Sequence, residues 1–585
     1  MSILADIVEA NEKYRDFVRQ QVDRARSDPG FGNELIDRWR KIREAIPTGK
    51  TPTGLSLPRH ALPDTDEAGA IAQYIFGQGL PGEFPFLNAA YHEMYLEPAD
   101  GQEQRRAEEP TRLFAGLGLP EDTNARFKYL TGQQRSARLS TAFDGPTLYG
   151  LDSDADGVLG KIGEGGVAVD TVDDMAVLYD GFDLSSDNVS VSMTINGPAP
   201  AILAMFIAAA KRRFDPGVVA KLRGTIQADI LKEVQAQNEV LFPLEASLRF
   251  LTDMVEWTTA NMPRWYPISI SGYHIAEAGA TPVQQAAYTL SNGFTYAELF
   301  KQRGMDVNRF GPRLSFFLDC GLDVEYLALA RVCRKIWAIG MRDVFKADES
   351  SQRFKLHTQT SGRSLVAQEF QNNLTRTAIE LMVAYVNATN SCHSNSADEA
   401  FTTPGEQYVR LASHAQAILL EESGLFKHTM NLLGSSPGME ALERAVESAV
   451  LEEFREIDRL GGVLAAVETR YQRSQIQAAA HEYERQIFDG RRPIIGLNRY
   501  AKDSQPAQVK TVRTSPAKQK RQAHRVRDFK HRHRKESAAA LEKLSKVVQE
   551  GGNVFEELIQ TVENCTLGQI TERLHELVGH YRPTI

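Results

Sequence analysis

Tyr266-Pro267-Ile268-Ser269-Ile270-Ser271-Gly272-Tyr273-His274-Ile275-Ala276-Glu277-Ala278-Gly279-Ala280-Thr281 alternates apolar and small polar residues and then delivers a Tyr-His pair onto a loop. In an extended chain Ile268 and Ile270 point one way while Ser269 and Ser271 point the other. The stretch reads as a buried strand with one small, hydrogen-bonding face. Something polar must run past that face.

Outward from this segment, short strand-like runs alternate with longer helical ones between about 137 and 430. The strand candidates are 137–143, 189–195, 224–227, 268–271, 313–318, 355–360 and the segment around Ser391 to Asn395, with an eighth expected near 425–430. This rhythm predicts an α/β fold, a parallel (β/α)8 TIM barrel with its helices outside. A closed barrel of this kind normally fills its interior with Val, Ile and Leu. Here the period-2 positions are Ser190, Ser192, Thr194 and Asn196 on one strand and His357, Gln359 and Ser361 on another. Facing inward, these residues are too small to fill the centre and need partners once desolvated. The pattern therefore predicts a hollow, polar-lined barrel threaded by a long polar ligand. The alternative sets the polar faces against the outer helices.

The 585 residues are 42% apolar and 24% charged, ordinary for a globular protein, with no apolar run of about 18 residues to cross a membrane. The N-terminus has early acids and no apolar core after a basic start, so no signal peptide is expected. Four widely spaced cysteines without a C-x-x-C pair fit a reducing, cytoplasmic setting. A net charge of −9 argues against nucleic acid as a partner of the whole chain. The expected organisation is an N-terminal arm and irregular extension (1–85), the barrel (86–435), a helical region (436–505), and a basic linker with C-terminal helices (506–585). Ile7, Tyr14, Phe17, Val18 and Val22 make the arm amphipathic, and packing on its own domain or on a partner both stay open. Residues 97–109 are expected to be a solvated insertion, and the basic run Lys518 to Lys535 a solvated linker helix.

Two motifs mislead. Gly434-Ser435-Ser436-Pro437-Gly438 matches the G-x-S-x-G elbow of hydrolases, but the residue after the central serine must donate a backbone N–H, and Pro437 has none. The glycine-rich segment 160–166 matches neither dinucleotide nor P-loop spacing. Cys392, His357 and His393 lack any metal-binding spacing, so no protein-ligated metal is expected.

ISISGYHIAEAGATP (268–282), FGPRLSFF (310–317), LHTQTSGRSL (356–365) and HSNSADEA (393–400) together closely resemble the adenosylcobalamin-dependent acyl-CoA mutases, the methylmalonyl-CoA mutase family. The likeness runs from about 80 to 505. PTRLFAGLG (110–118), RLSTAFDGPTLYG (138–150) and SVSMTINGPAPAIL (190–203) are most similar to the substrate domain of isobutyryl-CoA mutases, notably the fused form. The resemblance implies that the pantetheine of an acyl-CoA passes along a barrel axis lined by Ser and Thr. It implies catalytic roles for His274, as donor to the thioester carbonyl, and for Tyr273 and Gln227 beside it. Arg112, Ser140, Thr225, Arg313 and Ser315 match substrate and CoA contacts. Phe143, Gly165, Gln359, Gly362, Asn395, Glu399 and Thr402 match positions facing the cofactor, adenosylcobalamin.

Phe114 and Gln237 stand where methylmalonyl-specific members carry a Tyr and an Arg that grip a free carboxylate, and the Phe/Gln pair is the one isobutyryl-CoA mutases carry. The implied reaction is a radical rearrangement of isobutyryl-CoA to n-butyryl-CoA, with pivalyl-, 2-hydroxyisobutyryl- or methylmalonyl-CoA as alternatives. Ala142 stands where the 2-hydroxyisobutyryl type has Asp. The family's CoA-binding T-M-Y-x-x-R-P-W-T segment is replaced by Glu93-Met94-Tyr95-Leu96-Glu97-Pro98. No D-x-H-x-x-G cobalamin signature occurs in the sequence. The expectation is therefore a large subunit that shares its cofactor with a separate small cobalamin-binding subunit, in a hetero-oligomer such as a heterotetramer. A catalytically silent scaffold is the remaining alternative of a different class.

Overall fold

The computed structural model of the chain describes residues 2–97, 111–132, 136–501 and 513–582. The expected insertion after Glu97 lies outside them. The strands that position the site are β1 (Leu113–Ala115), β2 (Ala137–Ala142), β3 (Val189–Thr194), β4 (Gly224–Ile226), β5 (Trp265–Tyr266), β6 (Ile268–Ser271), β7 (Leu314–Cys320), β8 (Lys355–Thr360) and β9 (Ser391–His393). They form a five-stranded sheet in the order β1-β2-β3-β4-β5 and a four-stranded sheet in the order β9-β8-β7-β6, all pairs parallel. Parallel neighbours need crossovers, and helices such as Ala199–Arg213, Pro282–Gln302, Tyr326–Asp343 and Asn373–Val386 supply them.

Pro267 alone separates β5 from β6, and it has no N–H to continue the ladder. Upstream, Tyr266 pairs with Thr225, whereas downstream Ile268 pairs with Leu314. At the opposite edges Thr111 bridges Cys392 in parallel, and Arg112 N–H donates to the Cys392 carbonyl at 2.9 Å. The two sheets thus meet at both edges.

Register sets the functional side chains at common heights. Phe114, Ser140, Ser192 and Thr225 are successive partners across β1 to β4, and Ser271, Phe317, His357 and Ser391 across β6 to β9. The apolar alternates Val191, Ile268, Ile270 and Phe316 are buried in the outer core.

The strand expected near 425–430 is absent: Met430 makes only an isolated bridge with His60, and β1 stands in the sheet instead. Three residues between Arg112 and Gly116 are too few for an alternation to register in sequence. The N-terminal arm folds as Ile3–Ser27 and Pro29–Ala45, and the first helix packs on Tyr326–Asp343 and Pro437–Arg459 of its own chain. The basic run, expected as a solvated linker, forms Pro516–Arg532 and docks on acidic groups, with Lys518 on Asp122, Arg521 and Arg525 on Glu121, and Lys530 on Asp152 and Asp154. Its apolar positions Ala523, Val526 and Phe529 are buried, and Gln519 Nε2 donates to the Ile162 carbonyl at 3.2 Å, which fixes the helix against the segment 159–162. Among the described residues no helix is long and apolar enough to cross a membrane.

Candidate functional site

Between the inner faces of the two sheets lies a cavity of about 260 Å³. Ser140, Ser192 and Thr225 line it from one sheet, and Ser269, Ser315 and His357 from the other. These are the small polar alternates of the sequence. The cavity follows the strands from Arg138, Arg223 and Lys355 at their N-terminal ends to Gln227 and Phe317 near their C-terminal ends. At the N-terminal end it shares Arg223, Tyr266 and Lys355 with a second hollow of about 610 Å³, where Arg264, Arg309 and Arg313 add positive charge. Lys355 Nζ donates to the Tyr266 hydroxyl at 2.6 Å and stays charged, raised by the two tyrosines beside it against the opposing effect of burial.

Of the residues expected to contact substrate, Arg112, Phe114, Ser140, Thr225 and Ser315 line the cavity between the sheets, while Arg313 lies in the second hollow. Arg112 Nη1 donates to Ser192 Oγ at 2.6 Å, and Ser315 Oγ donates to the Ile268 carbonyl at 3.0 Å. Among the described residues Ser140 Oγ is buried without a hydrogen-bond partner, a hydroxyl left for a ligand. Phe114 meets the His393 ring edge-on at 4.7 Å.

Tyr273 and His274 open a short helix, Tyr273–Glu277, at the end of β6. The Tyr273 ring stacks on Phe317 at 4.8 Å, and its hydroxyl accepts from Gln359 Nε2 at 2.9 Å. His274 Nδ1 lies 2.6 Å from Ser271 Oγ. Burial, and then the positive charge of Lys232, push the His274 imidazole well below its ordinary pKa, so it is neutral at physiological pH.

Gln227 follows β4, and its side chain meets residues that sequence reading missed. Asn196 Nδ2 donates to Gln227 Oε1 at 3.0 Å and to Glu233 Oε1 at 2.6 Å. Lys232, fully buried, donates to Glu233 Oε1 at 2.5 Å, Gln237 Oε1 at 2.6 Å and Gln227 Oε1 at 3.4 Å. The sequence offered no cation beside Gln237, yet Lys232 is there, already neutralised by Glu233. Asn196 stood in the polar alternation after β3, but a lysine in ILKEVQAQ carries the signature of a solvated helix.

The residues expected to face the cofactor gather at the C-terminal ends of the strands. Gln359 Nε2 also donates to Asn395 Oδ1 at 2.8 Å, and Asn395 Nδ2 to the Thr360 carbonyl at 2.8 Å. Gly362 N–H donates to Glu277 Oε1 at 2.7 Å. Burial pushes the Glu399 carboxyl up to about 7. Thr402 N–H donates to the Asp398 carbonyl at 3.2 Å. Phe143 bridges Val167 across a loop in which a Cβ on Gly166 would fall 2.1 Å from the Phe143 carbonyl carbon. Gly165, at φ +70°, looks into open space. Exposed Tyr149, Leu151, Leu322 and Val324 fringe the loops after β2 and β7.

A family model described as methylmalonyl-CoA mutase matches residues 53–580. A fused isobutyryl-CoA mutase of Geobacillus kaustophilus is 43% identical over 562 residues, covering 92% of this chain and 51% of its own. A 2-hydroxyisobutanoyl-CoA mutase large subunit of Aquincola tertiaricarbonis is 37% identical over 512 residues, covering 86% and 88%. The mitochondrial methylmalonyl-CoA mutase of Homo sapiens is 35% identical over 542 residues, covering 91% and 69%. The chain spans about half the length of the fused relatives. Those fused relatives give no support to the separate small subunit and hetero-oligomer expected from sequence, and that expectation is withdrawn.

Proposed function

The chain belongs to the methylmalonyl-CoA mutase family of cobalamin-dependent isomerases, and from that premise we propose that it carries the acyl-CoA-binding, catalytic part of a mutase acting on a neutral branched acyl-CoA of the isobutyryl type. The observation that carries the reading is the polar cavity joining a basic mouth to Gln227 and to Phe317, whose ring the His274 imidazole meets edge-on. We infer that β5 and β6 count as one strand broken at Pro267, and that the resulting eight strands close a barrel around that cavity.

In this reading the basic mouth takes the phosphates of CoA, with Arg313 among its cations. The pantetheine arm runs past Ser192, Thr225, Ser269 and Ser315, whose hydroxyls match its amides. With Ser271 donating to Nδ1, His274 carries its proton on Nε2 and donates to the thioester carbonyl. A donor held by its own loop stabilises charge or spin density at that oxygen without reorganising. Tyr273, pinned between Phe317 and Gln359, roofs the reacting carbons and excludes water.

The C-terminal face fits adenosylcobalamin. The open space at Gly165 and the apolar fringe suit a broad planar ring, and Phe143, Gly362, Gln359, Asn395, Glu399 and Thr402 would hold that side of it. When bound, the cofactor supplies the radical chemistry that opens the rearrangement.

Phe114 and Gln237 choose the acyl group. Among the described residues the cation beside Gln237 is Lys232, which is bound to Glu233, so a second substrate carboxylate would be desolvated there without a counter-charge. That costs several kcal/mol, and each 1.4 kcal/mol is about tenfold. The test is the ratio of kcat/KM for isobutyryl-CoA over methylmalonyl-CoA on the holoenzyme, expected to exceed about 100. A ratio favouring methylmalonyl-CoA overturns the assignment of both positions.

A further inference from the structure

The loop after β4 is pinned before it reaches the acyl pocket. Ala228 adopts φ +50°, and Asp229 accepts from Lys232 N–H at 3.2 Å, Ser271 N–H at 2.7 Å and the Tyr296 hydroxyl at 2.7 Å. A short helix, Ile230–Lys232, follows and widens into a π-type turn, Glu233–Gln237, that ends at left-handed Asn238. In an α-helix side chains i and i+4 stack. The extra residue of the π turn instead brings i and i+5 together, which is how Lys232 reaches Gln237.

The hydrogen bonds here fix every amide orientation. Asp229 N–H donates at 3.0 Å to the Asn196 amide, so the atom it meets is the oxygen, and the Asn196 nitrogen is the end that donates to Gln227 and Glu233. An ammonium can only donate, so the Gln227 and Gln237 atoms on Lys232 are both oxygens. Gln227 Oε1 is therefore engaged by two donors, and its –NH2 is left for the cavity that Gln227 lines. Glu233 accepts from Lys232, from Asn196 and, through Oε2, from Glu239 N–H at 2.9 Å, so the pair carries no net charge and is fully satisfied on its anionic side.

We propose that Lys232 is the positioning residue of the acyl pocket: its ammonium grips the amide oxygens of Gln227 and Gln237, so that Gln227 presents a donor rather than an acceptor to the thioester carbonyl. This rests on the acyl-CoA reading above. Without Lys232 the Gln227 amide keeps one anchor, Asn196, and its oxygen can turn toward the carbonyl, where two acceptors repel. The ion pair with Glu233 lets the pocket contain a lysine for this purpose without offering a free cation to a dicarboxylate.

The test compares two ligands on the holoenzyme: isobutyryl-CoA and its thioether analogue, in which CH2 replaces the carbonyl. Wild type is expected to bind the thioester more tightly, and Lys232→Met to lose about tenfold of that preference, one hydrogen bond's share. A merely structural lysine would weaken both ligands alike and leave the preference intact. Because Lys232→Met strands a buried carboxylate, the charge-neutral double variant Lys232→Met/Glu233→Gln is measured alongside and is expected to lose the same preference. Wild-type preference in either folded variant overturns the role of Lys232. A wild type that binds neither ligand overturns the acyl-CoA reading and this inference with it.

Discussion

At the scale of the residue, His274 works through what surrounds it. Its imidazole is kept neutral by burial and by the nearby Lys232 charge, and Ser271 occupies one of its two nitrogens. His274→Ala is expected to fold and to lower kcat about 100-fold or more, the loss typical of one oxyanion donor. Because the folded pKa is depressed, the ring is deprotonated in the native state from below pH 6.5 upward. Wild-type kcat between pH 6.5 and 8 should then show no histidine titration, and a kcat-against-pH profile checks both statements. Tyr273 and His274 could be singled out as candidates because both sit in the quoted motif 268–282, whereas Gln227 lies only in the strand candidate 224–227 and came from the resemblance by position. Lys232 and Glu233 were not legible, since the contacts that define them depend on a helix opening by one residue, and that opening leaves no mark in hydrophobic spacing.

Elements explain the other differences between expectation and structure. Long strands such as Lys355–Thr360 carry enough alternation to be seen, whereas Leu113–Ala115 is a strand only because Leu139 and Cys392 lie on either side of its chain to pair. The Pro516–Arg532 helix was placed as a solvated element on its charge. Charge alone cannot distinguish water from a matching acidic surface, and Glu121, Asp122, Asp152 and Asp154 are that surface. Asp152 is buried and also accepts from Thr566 Oγ and Gly568 N–H, so it ties this helix and Leu567–Val578 to the loop after β2. Lys530→Met removes the cation paired with Asp152 and is expected to cost about 2 kcal/mol of stability, read as a lower Tm with kcat little changed. An unchanged Tm would mean that the two neutral donors suffice.

For the whole molecule, charge distribution matters more than its sum. The chain carries a net −9, yet Arg223, Arg264, Arg309, Arg313 and Lys355 converge on one hollow at the N-terminal ends of the strands. In a chain of net negative charge, a basic opening directs an anionic ligand to itself. The association rate of acyl-CoA is expected to fall as salt rises from 0.02 to about 0.2 M, over which the Debye length shrinks severalfold. Lys355→Met is expected to raise the KM for acyl-CoA about tenfold with kcat held within about twofold, since Lys355 stands at the start of β8 whereas His274 follows the C-terminal end of β6. Steady-state kinetics at two ionic strengths tests both, and a rate insensitive to salt would remove the steering role. The overall alternation of strand and helix was readable from sequence, but this opening was not. Its five cations come from four separate segments at or just before strand starts, Arg309 and Arg313 sharing one, and only the arrangement of the two sheets brings them together.

Pro267 has one more consequence. The residues just before it belong to one sheet and the residues just after it to the other, and Ser269 N–H reaches back to the Gln227 carbonyl at 3.0 Å. The three residues from Ser271 to Tyr273 that carry the chain to His274 are thus surveyed from two independent benchmarks. Any drift of one half-wall against the other is measured at the histidine first, like the play in a joint read at the tip of the longest lever.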